Sequence, residues 1–132
     1  MLDTNICIYI IKNKPKSVMK KFKEYEIGDL ALSSVTVSEL YYGAYKSLFI
    51  EKNLLALEHF LQPFNILEYG LKASIEYGDI RATLERQGNV IGGLDMQIAA
   101  HARSLDMTLV TNNTKEFIRV PNLVIDNWVV SE

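Results

Sequence analysis

Met1-Leu2-Asp3-Thr4-Asn5 decides how this chain is read: two apolar residues run into an acid, and Ile6 to Ile11 then continue with the apolar spacing of a helix. Short polar side chains at such a junction satisfy the free N–H groups of a starting helix, so Asp3, Thr4 and Asn5 have a purely structural reading as caps. A second reading comes from where the junction falls. In an open parallel sheet the first strand commonly borders the point where strand order reverses, and ligands bind at the carboxyl ends of the strands there. An acid closing the first strand faces that crevice, and the rest of the chain has to decide between the two readings.

Working outward, Pro15 suits an early helical position, and Val18, Met19 and Phe22 share one face of a second helix, making a bent helical pair with the first. After the Gly28-Asp29 turn signal, Leu30 to Val35 is a short apolar run without helical period, predicted as a strand buried on both faces. Thr36 to Tyr45 reads as a helix in which Thr36 and Glu39 have the spacing of a capping box. Leu48 to Leu61 is amphipathic and stopped by Pro63; Ile66 to Tyr69 is a third strand. Gly70 opens a helix to about Gln87 with Leu71, Ile75, Ile80 and Leu84 as its apolar stripe and Gly88 as its stop. Leu94 to Leu105 is the strongest helical pattern, placing Leu94, Ile98, Ala99, Ala102 and Leu105 on the packed side and Asp95 in the first turn. Met107 to Thr111 is a strand, Asn112 to Glu116 a polar turn, and Leu123 to Ile125 a last strand before Trp128. Strands alternating with helices imply a mainly parallel sheet of four to five strands between two helical layers, an α/β/α sandwich joined by right-handed crossovers.

At 132 residues the chain has the length of a single domain spanning 1–132, with no linker or repeat. A lone cysteine, Cys7, excludes an intrachain disulfide and a multi-cysteine zinc cage, and its apolar neighbours suit a core position. No run is long enough to span a membrane and no leader pattern is present, so the cytoplasm is the expected location. The net charge of −2 gives no general attraction to nucleic acid, but one bound divalent cation would cancel it, so RNA is not excluded.

Four acids stand at comparable places: Asp3 after the first strand, Glu39 one turn into the helix after the second, Asp95 in a helix's first turn, and Glu116 after the fourth strand. Strand ends and helix starts of a parallel sheet share one edge, so these side chains converge. Clustered carboxylates repel, and the usual resolutions are a raised pKa or a hard divalent cation with oxygen ligands, for which Mg2+ or Mn2+ fits. Neither histidine makes this a zinc site: His59 belongs to a helix away from these segments, and His101 has no His or Glu at ligand spacing.

Four stretches, Leu-Asp-Thr-Asn at 2–5, Ser-Ser-Val-Thr-Val-Ser-Glu-Leu-Tyr-Tyr-Gly-Ala at 33–44, Gly-Gly-Leu-Asp-Met-Gln-Ile-Ala-Ala-His-Ala at 92–102 and Val-Thr-Asn-Asn-Thr-Lys-Glu-Phe at 110–117, together resemble the PIN-domain ribonucleases, and among them the VapC toxins. The resemblance spans essentially the whole chain. It implies a compact PIN-like α/β/α domain, metal-dependent endonuclease activity on RNA, often tRNA with the anticodon region of initiator tRNA as a candidate, and inhibition by a cognate VapB antitoxin. Carried over by position, Asp3, Glu39 and Asp95 match the acidic metal-site residues. Asn113 stands where many PIN domains have aspartate, and Glu116, three residues on, is the candidate to supply the missing charge. Thr4, Asn5, Thr111 and Asn113 are the polar supports for the acids or for a water. Only Met1 and Leu2 precede Asp3, fewer residues than relatives carry, which reads as a truncated start.

The chemistry this implies is in-line attack on a phosphodiester by metal-activated water, leaving 5′-phosphate and 3′-hydroxyl ends. Arg81, Arg86, Arg103, Lys115 and Arg119 are candidate RNA phosphate contacts, with solvated surface charge as their alternative. Tyr41, Tyr42 and Tyr45 suit packing or a homodimer contact better than base stacking. Two other classes compete. A PIN-like interaction module, impaired through Asn113, would bind divalent ions weakly or not at all. An aspartyl-phosphate phosphatase would need a second acid two residues after Asp3, where Asn5 stands.

Overall fold

The computed structural model describes residues 1–130. Residues 1–3 are extended and lead into α1 (Thr4–Ile11), followed by α2 (Lys16–Phe22), β1 (Ala31–Ser33), α3 (Ser34–Tyr45), α4 (Ile50–Leu61), β2 (Asn65–Leu67), α5 (Leu71–Arg86), α6 (Gly93–Ser104), β3 (Leu109–Val110), α7 (Thr114–Phe117) and β4 (Ile125–Asp126). β1 pairs with β2 in parallel, Leu32 opposite Ile66, and β3 pairs with β4 in parallel, Leu109 opposite Ile125.

The N-terminal residues join these two pairs into one sheet. The Leu2 N–H donates to the Ala31 carbonyl at 3.0 Å on one side, and on the other the Val110 N–H donates to the Met1 carbonyl at 2.8 Å while Asp3 N–H donates to Val110 at 3.0 Å. The spatial order is therefore β2, β1, residues 1–3, β3, β4, with β1 parallel to β2, residues 1–3 parallel to β3, and β3 parallel to β4. In chain order that is third, second, first, fourth, fifth, so the strand order reverses between residues 1–3 and β3. Asp3 and Thr111 leave the sheet side by side at this reversal.

Alternation along the central strands builds the layers, because successive side chains of a strand point to opposite faces. Leu2, Leu32 and Val110 enter one apolar cluster with Ile6, Cys7 and Ile10 of α1, Val18 of α2, Leu40 of α3 and Leu57 of α4. Met1 and Leu109 enter the other, with Ile80 and Leu84 of α5, Ile98 and Ala99 of α6, and Phe117 of α7. The result is the expected α/β/α sandwich with a parallel sheet. α5 packs along α6, where fully buried Ala99, Ala100 and Ala102 allow close approach, and Arg103 ties the pair by bonding Glu76 and Asp79. No helix among the described residues is long and apolar enough to cross a membrane.

Several local expectations change. The strands are shorter than predicted, two or three residues each, and β1 turns directly into α3 at Ser34. α3 starts at Ser34, and Ser33 is its cap, accepting from the Val35 N–H at 3.1 Å. Thr36 is already inside the helix, fully buried, with a hydroxyl that has no partner among the described residues. The expected Thr36–Glu39 capping box is therefore absent, and Glu39 is free for another role. Pro15 is the residue before α2 rather than inside it. The turn expected at Asn112–Glu116 contains the short helix α7. Leu71, Ile75, Leu94 and Leu105 are exposed, because α5 and α6 bury their contact through the smaller Ala73, Ala99 and Ala102.

Candidate active site

Each of the four acids is placed at the carboxyl edge of the sheet by the element it follows or opens. Asp3 ends the central strand and caps α1: its Oδ1 accepts from the Ile6 N–H at 2.9 Å, and its Oδ2 accepts from the Thr111 hydroxyl at 2.5 Å. The cap uses one oxygen, and the other is bonded across the strand reversal to Thr111. Asp3 is 4% exposed, and burial pushes its carboxyl above the ordinary range, opposed by the Thr111 and Ile6 hydrogen bonds and reinforced by the charge of Glu39.

Glu39 sits on α3, half-buried, where its Oε1 accepts from the Thr4 hydroxyl at 2.7 Å. Thr4 opens α1, so this bond links the helix after the first strand to the helix after β1. Thr111, fully buried at the end of β3, donates to Asp3 and accepts from the Asn113 N–H at 2.9 Å. The Asn113 side-chain amide donates to Glu116 Oε2 on α7 at 3.1 Å. A continuous polar chain therefore runs from Asp3 through Thr111 and Asn113 to Glu116. Of the four supports expected from sequence, Thr4, Thr111 and Asn113 each hold an acid, whereas the Asn5 side chain is exposed.

Asp95, in the first turn of α6, completes the ring. Its carboxyl is pushed up to about 6, first by burial and then by the charges of Glu116, Asp3 and Glu39, with a hydrogen bond to Glu116 that requires a proton on one of the two. Asp95 thus senses the other three acids. Among the described residues no three acidic, His or Cys side chains stand close enough to form a ready-made metal cage. Four mutually repelling carboxylates have no reason to close on one another without a counter-charge. The available donors are carboxylate, hydroxyl and amide oxygens, a set that suits a hard divalent cation, with Asp3, Glu39 and Asp95 or Glu116 as the residues able to hold it.

His101 lies apart from this use. It is 2% exposed, its Nδ1 is 2.7 Å from the Ser33 hydroxyl, its ring stands edge-on to Tyr69, and burial lowers its pKa. Four of the five cations expected to contact phosphate are engaged within the fold: Arg81 bonds Tyr77 and Glu85, Arg86 bonds Thr83, Arg103 bonds Glu76, Asp79 and the Pro121 carbonyl, and Arg119 bonds the Val90 carbonyl. Lys115 is exposed on α7 beside Glu116. Sequence reasoning passes over a denser cationic stretch, Lys12 to Lys23, whose six lysines without an acid are visible in the sequence as charge density.

The family model for the PIN domain matches residues 1–123. A tRNA(fMet)-specific endonuclease VapC of Shigella flexneri is 49% identical over 97% of this chain and 96% of its own length, and a ribonuclease VapC2 of Haemophilus influenzae is 48% identical over 98% and 97%. The crystal structure of VapBC2 from Rickettsia felis, bound to a DNA fragment from its promoter, superposes at a TM-score of 0.91 with 42% identity, covering 98% of each chain. With the acids, their supports and the strand reversal arranged as above, the chain belongs to the PIN-domain family and, within it, to the VapC ribonucleases.

Proposed function

We propose that this chain is a divalent-cation-dependent endoribonuclease, the toxin of a toxin–antitoxin pair, with Mg2+ as its working ion and Mn2+ able to replace it. The observation that carries the reading is the ring of four acids at the strand reversal, with the Asp95 carboxyl pushed up to about 6 by burial and by the charges of the others. A site whose own carboxylates repel one another binds no anionic backbone unless cations enter with it. When bound, a divalent cation supplies Lewis-acid activation of water and offsets charge on the phosphate. Asp3, Glu39 and Asp95 would hold it, with Glu116 adding charge where Asn113 has none.

The protein's own groups do the positioning. Thr111 and the Ile6 N–H lock both Asp3 oxygens from behind, so the buried acid presents its remaining lone pairs in one direction. Thr4 steers Glu39 toward the same edge, and Asn113 steers Glu116. Asp95 gives up its proton as the cation arrives, so binding weakens as pH falls below about 6. No side chain forms a covalent intermediate in this scheme; water is the nucleophile, and 5′-phosphate ends result.

The substrate class is folded RNA. The initiator tRNA is the first to test, because a relative sharing about half of the residues is named for it. The partner that silences the site is a VapB-type antitoxin, in keeping with VapBC complexes among the structural neighbours. Exposed Tyr42, Tyr45, Leu48 and Phe49, at the junction of α3 and α4, offer an apolar surface for that partner or for a second copy of the chain. The cytoplasm, where tRNA and antitoxin are made, is the compartment this function requires.

The test is cleavage of a total small-RNA pool by purified protein in Mg2+, in EDTA, and with Asp3→Asn in parallel. Discrete products with Mg2+ alone support the reading. The same pattern from Asp3→Asn refutes the site, and an intact pool with folded, metal-loaded protein refutes the activity in favour of an interaction module.

A further inference from the structure

The strongest free positive charge of the molecule lies neither on α5 nor beside the acids, but at the corner between α1 and α2. Lys12, Lys14, Lys16, Lys20, Lys21 and Lys23 are all exposed, no acid interrupts them, and among the described residues only Lys21 meets a carboxylate, Glu24 at 3.7 Å. Part of this corner forms the wall of a cleft of about 450 Å3 between α2 and residues 127–130, where Lys16, Lys20 and Lys21 outnumber the single acid, Glu24, and Asn127 and Trp128 close the far side. The cleft is held in shape from both sides. Val130 N–H donates to the Ser17 hydroxyl at 3.2 Å, Val129 packs into the core, and Tyr25 stacks on Trp128 with ring centroids 5.5 Å apart.

Two observations link the cleft to a polyanion continuing from the acidic site. Trp128 is 1% exposed, yet its indole N–H has no acceptor among the described residues, an arrangement proteins rarely leave unfilled. Asn127 donates to Asn112 at 3.3 Å, and Asn112 lies between Thr111 and Asn113, the two residues that hold Asp3 and Glu116. β3 and β4 end on the same edge, since Thr111 N–H donates to the Asp126 carbonyl at 2.9 Å. A strand cut at the acids therefore reaches the lysines by passing the Asn112–Asn127 pair.

We propose that the α2 cleft is a second RNA-backbone site, in which Lys16, Lys20 and Lys21 hold phosphates that flank the scissile one, over the buried Trp128 ring. An acidic polypeptide is the rival occupant. RNA is favoured because the cleft continues the sheet edge that carries the acids. This rests on the ribonuclease reading, and the experiment separates the two by measuring binding with cleavage switched off. In an Asp3→Asn background, binding of bulk tRNA is titrated against salt with the lysines intact, with Lys16, Lys20 and Lys21 changed to Gln, and with Lys46, Lys52 and Lys72 changed to Gln as a charge-matched control. Trp128, the sole tryptophan, reports on the cleft by its fluorescence.

The cleft triple variant is expected to weaken tRNA binding about tenfold or more and to lower the slope of log K against log salt by about 2 to 3, roughly one for each phosphate that a lysine no longer neutralises. The control leaves the slope unchanged, and saturating tRNA shifts the Trp128 emission. In the Asp3-containing enzyme the same triple change raises KM and spares kcat. An unchanged slope, an equal loss in the control, or a silent Trp128 overturns the proposal, even where wild type cleaves RNA. So does an acidic polypeptide that needs the three lysines while tRNA does not. If wild type cleaves nothing, the ribonuclease reading fails, and the binding titration still decides the cleft.

Discussion

Asp95→Asn is expected to stabilise the cation-free protein while removing its response to Mg2+. The wild-type carboxyl, raised from 3.8 to about 6, is charged at pH 7.5 against three other acids and partial burial. Two pKa units correspond to about 3 kcal/mol as an upper bound, and because Asp95 is only half-buried, solvent screening reduces this to about 1 to 1.5 kcal/mol. A group whose folded-state pKa is raised contributes its stability below the unfolded value, near 4, and loses it as pH rises through about 6. Wild type in EDTA should therefore fall behind Asp95→Asn across that window. At pH 7.5 the variant's Tm should be higher by roughly 4 to 6 °C for a chain of this size. At pH 4 the difference should vanish, since an amide and a protonated carboxyl can each donate to Glu116. Mg2+ at ten times its Kd should return about 1.4 kcal/mol to wild type and almost nothing to the variant. Thermal melts at four pH values, with EDTA and with Mg2+, read all of this. Equal Tm values at pH 7.5, or a gain that persists undiminished at pH 4, would refute mutual repulsion as the property that defines the site.

Thr111→Val removes the hydroxyl behind Asp3 and leaves a buried carboxylate oxygen unpaired, so thermal unfolding should show a loss of about 1 to 3 kcal/mol, and the Mg2+ concentration needed for cleavage should rise. Thr4→Val frees Glu39 without emptying the core. Its Tm should stay within about 2 °C of wild type while cleavage slows by about tenfold; unaltered cleavage would mean that Thr4 does not position Glu39 for the reaction. Arg103→Ala leaves Glu76 without its partner between α5 and α6 and is expected to cost about 1 to 2 kcal/mol in a denaturant titration, with the RNA salt slope unchanged because this arginine is occupied within the fold. His101 is neutral because it is buried, so its contribution is present in full above its ordinary value of about 6.5 and is lost as pH falls through its lowered folded value; His101→Gln should flatten the acid side of the stability profile.

The architecture is legible because the periods change cleanly: two-residue alternation at Leu2, Leu32 and Val110 sends neighbours to opposite cores, and helical spacing follows each strand. The central acid is legible for the same reason, since Asp3 has to leave the sheet where α1 begins. Sequence spacing fails where tertiary bonds outcompete a local one. Thr36 and Glu39 have capping-box spacing, but Ser33 reaches the free N–H first, because β1 ends two residues before its predicted run does, and Glu39 is then taken by Thr4 from a segment 35 residues away. Apolar stripes on α5 and α6 overstate the buried leucines because alanines make the contact between these helices. Charge alone overvalues Arg81 and Arg103 as RNA contacts, because their partners on α5, Glu85 for the first and Glu76 and Asp79 for the second, look like solvated charge in the sequence.

The pairing of those arginines bears on how the molecule would use its net charge of −2. An overall negative protein with an acidic crevice repels RNA at long range, so affinity has to come from local positive surface within reach of the crevice. Arginines paired within α5 and α6 contribute little, since their field is already cancelled. The α1–α2 lysines are the densest run of cations, and among the described residues only Lys21 of them meets a carboxylate; three of them share a cleft with Asn127, which bonds Asn112 beside Thr111. Raising ionic strength should then slow capture through KM, with the lysines screened, long before it disturbs Asp3, whose two bonds are buried. A salt series of initial rates that depressed kcat first would place the controlling charges inside the crevice instead.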